Sequence, residues 1–265
     1  MKEIIKNIPG YSVTGMEFKS INEFITFLQT NENTGYGNES HCNDSYFTGT
    51  KTYEEALKML AGGWTEEAKK LTQILNVSVS TKQQMMQRRQ VRSVAGGQAI
   101  VAAYLNGAPN NMMLQKLEPK KQKVITITKA IGYMAGVSKD EIRAESIKAL
   151  KVVMKLEAQG YRVNLNVMSV AKQGSKAVVC KIRVKNANEK LNISKVAFPL
   201  VHSSMLRRFV FEFREKYKNI KVFGYGETAS KKTYRDLMED HEYLIPNFIH
   251  IDVDKTWCLE DLEHC

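Results

Sequence analysis

Residues 124–184 carry the pattern that most restricts how this chain can fold. Val124-Ile125-Thr126-Ile127-Thr128 is β-branched at every position and reads as a buried strand. Lys129 to Val137 contains Gly132 and Gly136 and reads as a loop. Ser138 with Glu141 three residues on is a capping box, and it starts a helix that reaches about Gln159 and stops at Gly160. The polar positions Glu141, Glu145, Lys148, Lys151 and Lys155 form one narrow stripe on that helix. The rest of its surface needs a large apolar partner, which a sheet supplies. Val163, Leu165 and Val167 then alternate with Asn164 and Asn166, and Val178, Cys180, Ile182 and Val184 alternate with Lys181 and Arg183. Two such strands joined through Gln173-Gly174-Ser175 close only as an antiparallel hairpin. The order strand, helix, strand, strand specifies an α/β fold, with a Rossmann-like mixed sheet flanked by helices over residues 118–265.

Residues 1–117 read as a mostly helical and irregular region that opens with short strand-like runs. Ser20 is a helix cap ahead of Ile21, Phe24, Ile25 and Leu28. Asn31 to Thr52 is a long loop rich in Asn, Gly, Ser and Thr. Thr52 and Glu55 start a helix that ends at Gly62-Gly63, and Thr65 to Leu75 forms the next. Lys82 to Arg92 is polar and basic and suits either a helix or an extended arm. Asn106-Gly107-Ala108-Pro109-Asn110-Asn111 is a turn. Further on, Ser203 or Ser204 caps a helix to about Tyr217, with Arg207, Arg208, Arg214 and Glu215 facing outward. Ile249, Ile251 and Val253 alternate with His250, Asp252 and Asp254 as a half-exposed strand.

Charge narrows the function. The chain carries a formal net charge of +11, and its distribution is uneven. From Ala68 to Lys139, twelve Lys and Arg stand against Glu118 alone; from Tyr161 to Phe211, ten stand against Glu189. From Asp236 to Cys265 the sign reverses, with nine acids against Lys255. A basic body of this kind attracts polyanions. The expected contacts are Lys82, Arg88, Arg89, Arg92, Lys120, Lys121, Lys123, Arg207 and Arg208, engaging nucleic-acid phosphate. The segment from Lys82 to Arg92 has no aromatic residue, so base stacking is not expected there. A protein partner, as in a virion or assembly component or an antagonist of a host defence factor, is the alternative, and the sequence leaves the oligomeric state open. The four cysteines form no Cys-x-x-Cys pair, the N-terminus has no signal-peptide pattern, and no apolar run reaches about 18 residues. A cytoplasmic protein that does not enter membranes is therefore expected.

The strand order resembles that of von Willebrand factor A-like domains. In that family the first strand ends in Asp-x-Ser-x-Ser, which binds a divalent metal. The matching positions here are Thr128, Ala130 and Gly132, with Lys129 between, so the resemblance implies a sheet without its metal site. Phe47-Thr48-Gly49-Thr50-Lys51-Thr52-Tyr53-Glu54-Glu55-Ala56, Tyr104 to Met112, and Phe198-Pro199-Leu200-Val201-His202 resemble motifs of uncharacterised bacteriophage proteins. That resemblance implies a phage origin and no activity. The glycine-rich pieces match neither G-x-x-x-x-G-K-[ST] nor G-x-G-x-x-G, so no nucleotide cofactor is expected. His202 has no adjacent carboxylate to orient it as a base. His250, Asp252 and Asp254 share one strand face and are the weak candidates for a metal, and with it for metal-dependent catalysis.

Overall fold

The computed structural model describes residues 1–34, 37–75, 86–119, 123–133, 136–217, 225, 227–239 and 242–245. The chain opens with β1 (Lys2–Ile8) and β2 (Tyr11–Phe18), an antiparallel hairpin. The helices α1 (Ile21–Thr30), α2 (Ser45–Thr48), α3 (Tyr53–Gly62) and α4 (Thr65–Leu75) follow. Next come β3 (Met86–Ser93), β4 (Gln98–Ala99), α5 (Val101–Leu105) and β5 (Met112–Pro119). Then β6 (Val124–Ala130), α6 (Lys139–Ala158), β7 (Arg162–Gln173) and β8 (Lys176–Lys185) give the expected strand, helix and hairpin. After α7 (Ile193–Val201), a π-helical stretch Met205–Val210 runs into α8 (Phe211–Lys216). The described chain ends with β9 (Glu227–Thr228), α9 (Lys231–Leu237) and β10 (Glu242–Ile245). The strand expected at 249–253 lies outside the described residues.

The chain divides into two compact units: a large one of residues 1–78 and 124–265, and a small one of residues 79–123. In the large unit six strands run in the order β1-β2-β8-β7-β6-β10, with β9 pairing against the end of β7. Pairing is parallel for β10–β6, β6–β7 and β2–β8, and antiparallel for β7–β8 and β1–β2. The fold is therefore α/β with a mixed sheet flanked by helices. Residues 1–18 belong to this sheet through the β2–β8 pair, so these units do not follow a division of the chain at residue 118. Gly15 permits that pair: a Cβ there would lie 2.0 Å from the Val179 carbonyl oxygen.

The pleat sorts the core into two layers. On one face Ile127, Val163, Leu165, Val167, Val178, Cys180, Ile182 and Val184 pack with α1, α3, α4, α6, α7 and the 205–216 helix. On the other, Ala130, Met168, Val170, Ala177 and Val179 pack with Tyr234 and Leu237 of α9. The second face turns polar at its far end. Asn164 donates to Thr126 (3.3 Å), Asn166 to Thr128 (3.2 Å) and Arg183 to Asn166 (3.0 Å), while Lys181 lies between Glu17 (3.3 Å) and Glu242 (2.5 Å).

Two expectations about helix faces are corrected. Glu145 is buried and not part of an exposed stripe, because its carboxylate pairs at 3.1 Å with Lys129, which is fully enclosed on β6. Desolvation lowers the Lys129 ammonium pKa and the nearby Glu145 charge opposes that shift. Arg207, Arg208, Arg214 and Glu215 also face inward. Residues 205–210 have π-helical pitch, and the loop before α3 packs over their outer side.

Candidate nucleic-acid interface

The small unit contains the basic segment. β3 and β5 pair antiparallel from Met86↔Pro119 to Ser93↔Met112, so Lys82 to Arg92 is extended where it is described. β4 adds to the other side of β5 through Gln98↔Met113 and Ala99↔Met112. A Cβ on Gly96 would lie 2.1 Å from the Met113 carbonyl oxygen, so only glycine lets the chain cross β5 before β4. Ile100 donates its N–H to the Asn111 carbonyl at 2.7 Å and closes the segment that carries α5.

Residues directly opposed in a ladder share a face. One face of this sheet therefore presents Arg88, Gln90 and Arg92 of β3 with Leu117, Gln115 and Met113 of β5 and Gln98 of β4. The other presents Arg89, Val91 and Ser93 with Lys116, Leu114 and Met112. On the first face Gln90, Arg92, Gln98 and Met113 line an open groove of about 590 Å³. No side chain described between residues 88 and 123 is buried. Val101, Tyr104 and Leu105 of α5 are 67%, 66% and 76% exposed. Arg89 reaches Glu118 at 3.5 Å, an exposed pair that holds little energy. Over residues 79–123 eight Lys and Arg stand against Glu118, a net charge of +7.

The structure brings Arg88, Arg89 and Arg92 together on one exposed strand, and Lys123 is exposed just before β6. Lys82, Lys120 and Lys121 lie outside the described residues, as do His250, Asp252 and Asp254. Gln90, Gln98, Gln115 and Lys116 were not picked out from sequence. The signal was there, in the alternation of Gln and Arg along Arg88–Arg92, but it means nothing until the register is known.

Arg207 and Arg208 belong to the large unit and are not surface phosphate ligands. Arg208 is 1% exposed and every one of its N–H directions is used. Nε donates to Thr50 Oγ1 at 2.7 Å, Nη1 to the carbonyls of Ser40 (2.9 Å) and Cys42 (3.3 Å), and Nη2 to Thr48 Oγ1 (3.0 Å) and the Thr50 carbonyl (2.9 Å). Arg207 donates to the Phe47 carbonyl at 2.6 Å and lies 4.8 Å from that ring's centroid. Both guanidiniums hold down the Asn-rich loop. The carboxylates one and two turns on do the same: Glu215 accepts from Ser40 N (3.1 Å) and Ser40 Oγ (2.5 Å), and Glu212 accepts from the Tyr53 hydroxyl and pairs with Lys216 at 2.8 Å.

His202 is tucked between Phe198 and Trp64, with ring centroids 4.8 and 4.9 Å away. Its Nδ1 accepts from Ser204 N at 3.1 Å, and burial pushes its pKa down to about 4. It is a neutral packing residue. Of the aromatic residues near the loop, Tyr53 and Trp64 are packed into the large unit and Tyr46 is 89% exposed. At the end of β6, Thr128 and Ala130 are buried, and a Cβ on Gly132 would meet Thr228 and the Tyr234 hydroxyl at 2.8 Å. Among the described residues no three His, Cys, Asp or Glu side chains are placed to hold a metal ion. No described helix is long and apolar enough to cross a membrane.

These features define a mixed α/β sheet protein carrying a small, basic β-unit whose described residues include no buried side chain. The chain belongs to the family described as Domain of unknown function (DUF7192), whose model matches residues 3–263. No curated protein and no solved structure matches it.

Proposed function

We propose that this is a non-catalytic, phage-encoded binding protein that engages nucleic acid in the host cytoplasm through residues 79–123. One observation carries the reading: residues 79–123 hold a net charge of +7, and their described side chains, those of Arg88, Arg89, Arg92 and Lys116 among them, are all at least partly exposed. A three-stranded sheet with so little buried is not made for its own stability. Its arginines are free to release counterions from a phosphate backbone. The resemblance of Phe47 to Ala56, Tyr104 to Met112 and Phe198 to His202 to bacteriophage motifs supports the phage origin. The order β8-β7-β6-β10, with only β8 antiparallel, supports a von Willebrand A-like sheet extended at one edge by β2 and β1.

The test is an electrophoretic shift with labelled single- and double-stranded nucleic acid at low salt. Micromolar protein should retard at least one of them, and the variant with Arg88, Arg89 and Arg92 all changed to Ala should need roughly tenfold more or worse. No retardation of either by the unaltered chain would sink the proposal. A second reading, a protein–protein module, is favoured by Val101, Tyr104 and Leu105, which expose an apolar strip on α5. Size-exclusion with light scattering tests it: a strict monomer with no co-purifying partner counts against it.

A further inference from the structure

Phosphate attraction accounts for the arginines of the small unit but not for its glutamines. Arg88, Gln90 and Arg92 alternate on β3, and Gln115 lies opposite Gln90 with Gln98 beside Met113, so all five share one face of the sheet. A neutral carboxamide gains no charge attraction from a phosphate. It offers a donor and an acceptor side by side, which matches the N6/N7 edge of adenine, as a guanidinium matches O6/N7 of guanine. Met113 and Leu117 on the same face are apolar and suit a thymine methyl.

The dimensions agree. From Arg88 to Val91 the ribbon is only two strands wide, since β4 reaches no further than Met112 and Met113. Two strands about 4.8 Å apart, with their side chains, fit a major groove about 12 Å wide and are too broad for a minor groove of about 6 Å. Alternate residues on a strand are about 6.6 Å apart, close to two base-pair steps of about 3.4 Å. Stacking on unpaired bases finds no support, because neither β3 nor β5 carries an aromatic residue. The opposite face keeps Arg89, paired with Glu118 at 3.5 Å, and Lys116, two long cationic side chains that a flanking phosphate can engage.

We infer that the two-stranded face of Arg88, Gln90 and Gln115 reads base edges in the major groove of duplex DNA, with the Arg92 and Gln98 side chains reaching in from its three-stranded end. The protein is then sequence-selective, and the inference rests on the nucleic-acid reading above and goes beyond it. Arg88, Gln90 and Arg92 address every second base pair.

The experiment is selection from a random duplex DNA pool by the full chain near 150 mM salt, followed by competition. The expected result is an enriched motif of G and A positions spaced by two. Gln90→Ala with Gln115→Ala should lower the preference for that motif over random duplex by about tenfold or more. Arg89→Ala with Lys116→Ala should weaken both to the same degree. Duplex RNA, whose major groove is deep and narrow, should compete poorly. Random duplex bound without any enriched sequence overturns this inference and leaves the nucleic-acid reading standing. A glutamine variant that keeps the preference, or duplex RNA or single strands that compete as well as duplex DNA, also overturns it. No nucleic acid bound at all removes both.

Discussion

Arg208 shows how residue chemistry and residue position part company. A guanidinium beside Arg207 and two serines has the composition of a phosphate grip, yet here it is closed over by three carbonyls and two threonine hydroxyls. Arg208→Ala removes the donor and leaves those acceptors buried, so it should cost about 3–5 kcal/mol in denaturant unfolding. Arg208→Lys should recover only part of that, since an ammonium has three donors and no planar fork. His202 gives a pH signature. Its folded-state pKa of about 4 lies below the unfolded value near 6.5. As pH falls, the unfolded chain takes the proton first, so stability drops between pH 6.5 and 4 and the loss is complete below that. The loss attributable to this group is about 3 kcal/mol. His202→Gln should therefore flatten stability against pH in that window relative to the unaltered protein.

At the scale of elements, the strand pairs are what the glycines protect. Gly15 sits where β2 and β8 run parallel, and any side chain there meets the Val179 carbonyl. Gly15→Ala should destabilise the large unit by about 1–3 kcal/mol, read from a thermal melt, as β2 is forced off β8. The capping box of α6 is a cleaner local term. Ser138 Oγ accepts from Glu141 N at 3.2 Å while the Glu141 side chain accepts from Ser138 N at 2.9 Å. Ser138→Ala should cost about 1 kcal/mol without changing the fold. That box could be read from Ser138-Lys139-Asp140-Glu141 because a cap depends only on neighbours in sequence. The burial of Glu145, one turn further along the same helix, could not, because it depends on a lysine sixteen residues earlier across the helix–sheet contact.

At the scale of the whole molecule, the described buried side chains and the proposed binding surface lie in different units. Every buried side chain described belongs to residues 1–75 or 124–245, and none to the segment between. Replacing residues 79–123 by a short flexible linker should leave the near-ultraviolet dichroism and cooperative melting of the large unit in place, and abolish nucleic-acid retardation. If binding runs through phosphate, its logarithm should fall linearly with that of salt. Arg89→Ala with Lys116→Ala should lower the slope by about one to two.

Local and periodic features were legible from the chain alone. Strand and helix along 124–184, the caps at Ser20, Thr52 and Ser138, and the nearly acid-free stretches all follow from neighbours in the chain, where propensity, pleat and charge act at short range. Which polar side chains face solvent was settled by the long-range packing. Arg88 and Arg208 look alike as residues beside a second arginine. One stands exposed on a sheet among the described residues, and the other under a loop from residues 40–50 that closes more than 150 positions away in sequence. Burial is a property of what folds over a residue, and that contact joins segments whose separation no local pattern records.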